Sequence, residues 1–252
     1  MEKEERYLSN RFLELASKCY NKGIYTYSDF LNLYEQNIFN SCIQTLPPIT
    51  FKLVGGNVFC ERKIIVFEPE EAYYEPQIPI SIIIINPLNS KFSDALNHRD
   101  FLGALMNLGI ERNKLGDILV KDNAAYLFCI DSIAPYIVEN LCRIKHTSVR
   151  CTISDDIENI NIMPEFKEII GTISNIRLDA VISLAFGTSR SSIVNFISDG
   201  KVFVNGKMTT SNGHPLKEND IVSVRGLGRC IYKEHISVTK KGRNLIKILK
   251  YI

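Results

Sequence analysis

The 252-residue sequence has no tryptophan, no Cys-x-x-Cys pair, and no apolar run longer than IPISIIII at 78–85. Each absence excludes something. A bilayer-spanning helix needs about 20 consecutive apolar residues, so no helical membrane span is expected. The seven cysteines (Cys19, Cys42, Cys60, Cys129, Cys142, Cys151, Cys230) are scattered and odd in number. Several sit in apolar stretches, where a free thiol behaves as a small hydrophobe. That pattern argues against a disulfide framework or a zinc site and fits a reducing cytosol. Only four histidines occur, none at metal-ligand spacing from another. Neither GxGxxG nor GxxxxGK(S/T) is present, so dinucleotide and P-loop readings lack support. The first residues, MEKEERYLSNRF, contain no apolar core of a secretory signal.

What is present points to a folded, two-signed molecule. Hydrophobic residues make up 45% and the formal net charge is only +2, which excludes a disordered chain. The balance hides an asymmetry. Residues 177–252 hold 13 Lys and Arg against 5 Asp and Glu, a net of +8, while residues 1–176 hold 17 against 23, a net of −6. A basic segment on an acidic body marks a place for a polyanion, unless it is only a solvated face.

Helical spacing predicts a first helix over 6–22 that stops at Gly23, and a second over 28–44 capped by Ser28 or Asp29. Pro47-Pro48 forbids helix, and ITFKLV and KIIVFE then read as strands. The proline-bearing EEAYYEPQIP makes a boundary. From there IPISIIIIN, HRDFLGALMNLG, GDILVKD, AAYLFCID, SIAPYIVENLC and RIKHTSVRCTISD give the order β-α-β-β-α-β of a ferredoxin-like, RRM-like domain. An RRM reads RNA with aromatics on central strands, and here only Tyr126 and Phe128 are offered, without the glycine signature; they read better as core.

From Arg177 the pattern changes. Leu178, Val181, Ile182 and Ala185 stripe a short helix ended by Gly187; Ser189 caps a second with Ile193, Val194 and Ile197 inward. KVFV runs into Asn205-Gly206, a strong hairpin signal, and IVSVRG is a further strand. Arg190 falls in the first turn of the second helix, where exposed N–H groups favour phosphate. Lys201 and Lys207 flank the hairpin, and Arg225 and Arg229 bracket a glycine-rich turn. With Arg177, Ser189, Asn205 and Lys233, these are the candidate RNA-gripping residues.

The run RLD…SR…I..G.V.VNG…L…D.I.VRG.GR, about 55 residues, resembles the RNA-binding domain named after the fourth small-subunit ribosomal protein, the alpha-L motif. A wider resemblance, carried by NHRDFLGALMNLGIERNKLGDILV (97–120), GTISNIRLDAVIS (171–183) and TKKGR (239–243), is to the bacterial YlmH family. That likeness implies a cytoplasmic, ribosome-associated protein and a part in handling stalled large subunits that carry peptidyl-tRNA. One departure stands out. Where the family has Gly-Tyr-x-Gly-Ala-Glu-Arg-Lys, this chain has GGNVFCERK: Glu61, Arg62 and Lys63 remain, while Asn57, Phe59 and Cys60 differ.

The expectation is therefore an α+β protein: an N-terminal helical and hairpin region (1–75), a ferredoxin-like middle domain (76–155), a linker and strand (156–176), an alpha-L domain (177–236) and a basic tail (237–252). It binds ribosomal or transfer RNA on the large subunit as a monomer, with no cofactor, metal or membrane and no catalytic residue. The alternative is a pseudouridine-synthase-like enzyme with its site in 76–155, and a third reading is a scaffold for protein partners. His98-Arg99-Asp100 lies before the basic domain and opens a helix, so Asp100 reads as a capping group and His98 and Arg99 as secondary RNA contacts. The KMTTS run at 207–211 lies inside the hairpin and has no partner motif of a synthetase.

Overall fold

The computed structural model describes residues 3–57, 60–72, 74–89, 91, 93–154 and 165–251. Two compact units emerge, Met1–Met163 and Pro164–Ile252.

The first unit begins with α1 (Lys3–Lys22), which buries Phe12, Leu15, Ala16 and Cys19 and ends where Gly23 turns left-handed at φ 61°. β1 (Thr26–Tyr27), α2 (Leu33–Cys42), β2 (Thr50–Val54) and β3 (Ile64–Glu68) follow, with strands in the order β1-β3-β2. The cap of α2 is Asn32, not Ser28 or Asp29. Asn32 and Glu35 form a reciprocal capping box, while the Ser28 hydroxyl accepts the Ile65 N–H and Asp29 pairs with Lys114. Burying Phe30 and Leu31 pulls the preceding chain out of the helix.

Next come β4 (Ile80–Pro87), α3 (His98–Asn107), β5 (Leu115–Lys121), β6 (Ala124–Ile130), α4 (Ala134–Asn140), β7 (Arg143–Ile144) and β8 (Thr147–Ser154). The expected Asn97 cap is present, with Asp100 accepting its N–H in return. Asp122 and Asn123 both take positive φ in the β5–β6 turn, as a tight hairpin needs. The stretch read as one closing strand is instead the β7–β8 hairpin, turned at Lys145 with φ 51°. All pairs are antiparallel, in the order β5-β6-β4-β8-β7.

Each face of this sheet is covered. One carries Ile83, Ile85, Leu127, Cys129, Val149 and Cys151 against Phe101 and Leu105 of α3 and Ile137 of α4. On the other, Ile80, Ile82 and Phe128 join Phe30, Ile64 and Val66 from the N-terminal segment in a shared cluster. Phe128 is 0% exposed. It fits because Gly56 lies over its ring, where a Cβ would come within 2.2 Å of it. The boundary read near residue 75 thus falls inside one unit.

The acidic, Asn-rich stretch at 155–164 lies outside the described residues. The second unit contains β9 (Phe166–Ile173), α5 (Leu178–Phe186), α6 (Arg190–Ser198), β10 (Val202–Val204), β11 (Lys207–Met208), β12 (Asp220–Val224), β13 (Gly228–Val238) and β14 (Asn244–Tyr251). Its six strands run β11-β10-β12-β13-β14-β9, and α5 and α6 pack Leu178, Val181, Ile182, Ile193 and Ile197 onto Val202, Val222, Cys230, Ile246 and Ile248. Residues 237–252 are therefore no tail: they hold the turn and the strand joining β13 to β9, and Ile246 and Ile248 alternate into the core. The alternation is masked in sequence by lysines at 247 and 250 on an apolar strand.

Among the described residues, no single helix is long and apolar enough to cross a membrane. All seven cysteines are free thiols, and five of them are buried. Burial pushes the thiols of Cys60, Cys129, Cys151 and Cys230 up to about 12, which makes them inert packing groups.

Candidate nucleic-acid interface

The second unit positions its cations by three devices. Gly187 closes α5 in the left-handed conformation, and Ser189 then caps α6 by accepting the Ser192 N–H at 3.2 Å. Arg190 consequently opens α6 exposed, and its guanidinium makes no hydrogen bond or ion pair with any described residue. The second device is the β13–β14 turn. There the Thr239 hydroxyl accepts the Arg243 N–H at 3.0 Å, Gly242 takes φ 73°, and the Arg243 guanidinium donates to the Thr172 carbonyl at 2.8 Å. Arg190 and Arg243 line one notch of about 430 Å³, with Thr172, Ser174 and Ser183 beside them. Two guanidiniums among hydroxyls and beside the first turn of a nine-residue helix form a setting for an oxyanion. Arg243 is not among the sequence candidates; it lies in the TKKGR run that carries part of the family resemblance and falls in the expected basic tail.

The third device is the sheet itself. On the side away from the helices, Phe203 lies opposite Ser223, and Ser223 opposite Arg229. The Arg225 guanidinium stacks 4.9 Å from the Phe203 ring centre and that of Arg229 5.2 Å from Tyr251, which meets Phe166 edge-on at 4.8 Å. Each guanidinium is thereby held against a ring, and Arg229 Nε also donates to the Ser223 hydroxyl at 3.2 Å.

The remaining candidates are placed otherwise. Arg177 precedes α5 and pairs with the buried Asp179 at 3.2 Å, and the first N–H groups of α5 are taken by carbonyls of Asn212 and His214. Lys201 pairs with Asp199 at 2.9 Å and lies over Phe196. Asn205 works inside the hairpin: its amide donates to Asp220 at 2.8 Å and its oxygen accepts the Ile221 N–H at 2.9 Å. Lys207 is exposed on β11, and Lys233 reaches Asn219 at 2.8 Å. The nine residues thus do not form one patch. Arg190 sits with Ser189 and Arg243, and Arg225 and Arg229 share the sheet face, with the Lys201 carbonyl accepting the Arg225 N–H at 2.9 Å.

In the first unit, His98 and Arg99 open α3 and are exposed. Asp100 is committed to structure, accepting the Asn97 N–H at 3.0 Å and Lys145 Nζ at 2.7 Å; the Lys145 hydrogen bond, then the Asn97 one, holds its carboxyl below the usual range. Among the described residues, no group of three or more His, Cys, Asp or Glu is arranged to hold a metal.

Comparison with known proteins gives this geometry a class. Residues 176–222 match the family model "S4 domain", and residues 74–158 match the one described as "Putative RNA-binding domain in YlmH". The chain is a protein with two RNA-binding domains, the C-terminal one of S4 type. Over 245 residues it is 29% identical to the "Ribosome-associated protein quality control protein P2" of Bacillus subtilis (strain 168), covering 96% of this chain and 93% of that protein. Among solved structures, the "Cell division protein ylmH from Streptococcus pneumoniae" matches with a TM-score of 0.51 at 24% identity, over 64% of this chain and 97% of that one, and so supports the fold. The chain thus resembles the YlmH family in both matched regions and along nearly all of its length.

Proposed function

We propose that this protein is a non-catalytic cytoplasmic adaptor that grips structured ribosomal or transfer RNA on the large ribosomal subunit, with its S4-type unit as the principal contact. The observation that carries the proposal is the Arg190–Arg243 notch on a unit whose residues 177–252 carry a net charge of +8. A surface of this kind reads backbone phosphate, and so shape, rather than sequence. The B. subtilis relative's name places that protein at ribosomes in quality control, which favours a role for this chain on stalled subunits carrying peptidyl-tRNA. The strand order of the middle sheet, with β6 beside β4 and β8 on the other side, supports a ferredoxin-like middle domain. Arg177, Ser189, Lys201, Asn205, Lys207, Arg225, Arg229 and Lys233 are secondary to Arg190 in this reading, with Asn205 acting through the hairpin it shapes.

Phosphate contacts have a measurable signature. Each phosphate neutralised releases condensed counterions, so Arg190→Ala and Arg225→Ala should each lower the slope of log affinity against log salt by about 0.7–0.9. Titrations of the full chain with purified large subunits from low to high salt, with circular dichroism as a folding control, read this directly. Unchanged slopes in both folded variants would remove these residues from the interface.

The enzyme alternative makes its own prediction. Asp100 is occupied by a capping box and an ion pair, a poor arrangement for a catalytic base. Incubating the protein with unmodified ribosomal and transfer RNA should leave the nucleoside mass spectrum unchanged. A stoichiometric new nucleoside that vanishes in Asp100→Asn would replace the adaptor with an RNA-modifying enzyme.

A further inference from the structure

The middle sheet has the strand order of an RNA-recognition domain, yet the part of its open face around Phe128 is closed. Phe128, at the centre of that face, is fully buried with Phe30, Ile64 and Val66 of the N-terminal segment packed over the sheet. RNA reaching this unit therefore finds no open ring at Phe128 and needs a further surface.

The helix-covered side offers one. A notch of about 480 Å³ lies between the start of α3 and the β7–β8 hairpin, lined by Arg99, Asn107, Asn140, Arg143 and Lys145 together with Asp100. Three cations from two separate elements meet one carboxylate, a local charge of +2, on a unit where residues 1–163 hold 16 Lys and Arg against 21 Asp and Glu, a net of −5. Lys145 is tied to Asp100 at 2.7 Å and so has a fixed place at the edge. Arg99 and Arg143 are exposed, and their guanidiniums make no hydrogen bond or ion pair with any described residue, although carboxylates are abundant on this unit. Free guanidiniums are the groups that recognise phosphate through paired N–H donors, and two carboxamides beside them add polar partners for ribose or phosphate oxygens.

From this we infer that the middle domain binds an RNA backbone phosphate in the Arg99–Arg143–Lys145 notch, on its helical side and not on its sheet face. The inference deepens the adaptor reading and rests on it: the S4-type unit grips one segment of RNA, and the notch holds a second. A docked acidic protein is the competing occupant. RNA is favoured because two exposed guanidiniums and a lysine converge on the notch of an otherwise acidic unit, beside the apolar Ala104, Leu108 and Leu141 that also line it, and because residues 74–158 match a family model for an RNA-binding domain.

The test uses the full chain and labelled, purified ribosomal RNA across a salt series. The double variant Arg99→Gln/Arg143→Gln leaves the Lys145–Asp100 pair intact. It should lower the log-affinity against log-salt slope by about 1.4–1.8, the value for two lost phosphate contacts. A control, Arg6→Gln/Lys18→Gln, removes the same charge from exposed positions on α1 and should change the slope by less than half as much. A second comparison, Arg190→Gln/Arg243→Gln, reports on the S4-type unit separately. If that pair weakens binding while Arg99→Gln/Arg143→Gln leaves it unchanged, the notch assignment is overturned and the adaptor reading stands. If the α1 control matches the notch variant, the effect is net charge alone and the assignment fails. If no variant alters binding, the assignment falls together with the adaptor reading.

Discussion

Replacing Arg62 with methionine should destabilise the first unit by about 3–5 kcal/mol, the largest stability effect expected of any polar substitution in the chain. Its guanidinium donates to three backbone carbonyls, those of Leu115 at 2.8 Å, Phe30 at 3.0 Å and Arg112 at 3.1 Å, while its own N–H donates to Asp117 at 2.8 Å. These contacts tie the loop before β3 to the start of β5, and so join the N-terminal segment to the middle sheet. Burial drives the Arg62 guanidinium down from its ordinary value, opposed by the charges of Glu35 and Asp117; burial also pushes the Asp117 carboxyl up. Methionine fills much of the space but leaves three carbonyls without donors, at about 1–3 kcal/mol for each that stays dry. Arg112 supplies the Leu115 carbonyl with a second donor at 2.6 Å, which limits the total. Lysine should rescue little, because one ammonium does not reproduce the guanidinium's fork. Urea unfolding of the full chain should show the transition of the first unit moving to lower denaturant while that of the second stays in place. A shift worth less than about 1 kcal/mol would mean that Arg62 is not the strut described here.

That same residue shows what was legible in the sequence and what was not. Glu61-Arg62-Lys63 stood out as the surviving half of a motif in an altered loop, a departure that left the loop without an assigned role. In the structure Arg62 is half-buried, the Glu61 carbonyl accepts from Gln36, and the backbone of Lys63 pairs with Leu31, so the surviving residues hold the fold. Local patterns read well: the Asn97 cap, the Asp122-Asn123 turn, the Gly187 stop and the Asn205-Gly206 hairpin depend on neighbours within a few residues, which a sequence displays directly. Long-range events were hidden. The two-residue β1 exists only because β3 pairs with it, and along β14 Lys247 faces away from the core while Lys250, on the core side, ends over the Phe186 ring of α5. For the candidate site, Arg190 was legible from its place after a capping serine, whereas Arg243 becomes its neighbour only once β14 lies beside β9.

Electrostatics divides the molecule as the sequence divides it. The acidic unit opposes approach to a polyanion except at its notch, and the basic unit attracts it over several surfaces. Deleting the second unit should therefore have the largest functional effect of any change to this chain. Each unit has its own buried clusters, so the division at 163/164 separates two folded parts. Residues 164–252 should keep most of the affinity and most of its salt dependence. Residues 1–163 should bind roughly 100-fold more weakly at physiological salt, the loss expected when several phosphate contacts go at once. The direct measurement is a titration of the full chain, 1–163 and 164–252 against purified large ribosomal subunits over a salt series, with circular dichroism confirming that each part is folded. Binding of 164–252 near the level of the full chain is the predicted result; binding of 1–163 as tight as the full chain, with none by a folded 164–252, would contradict the account.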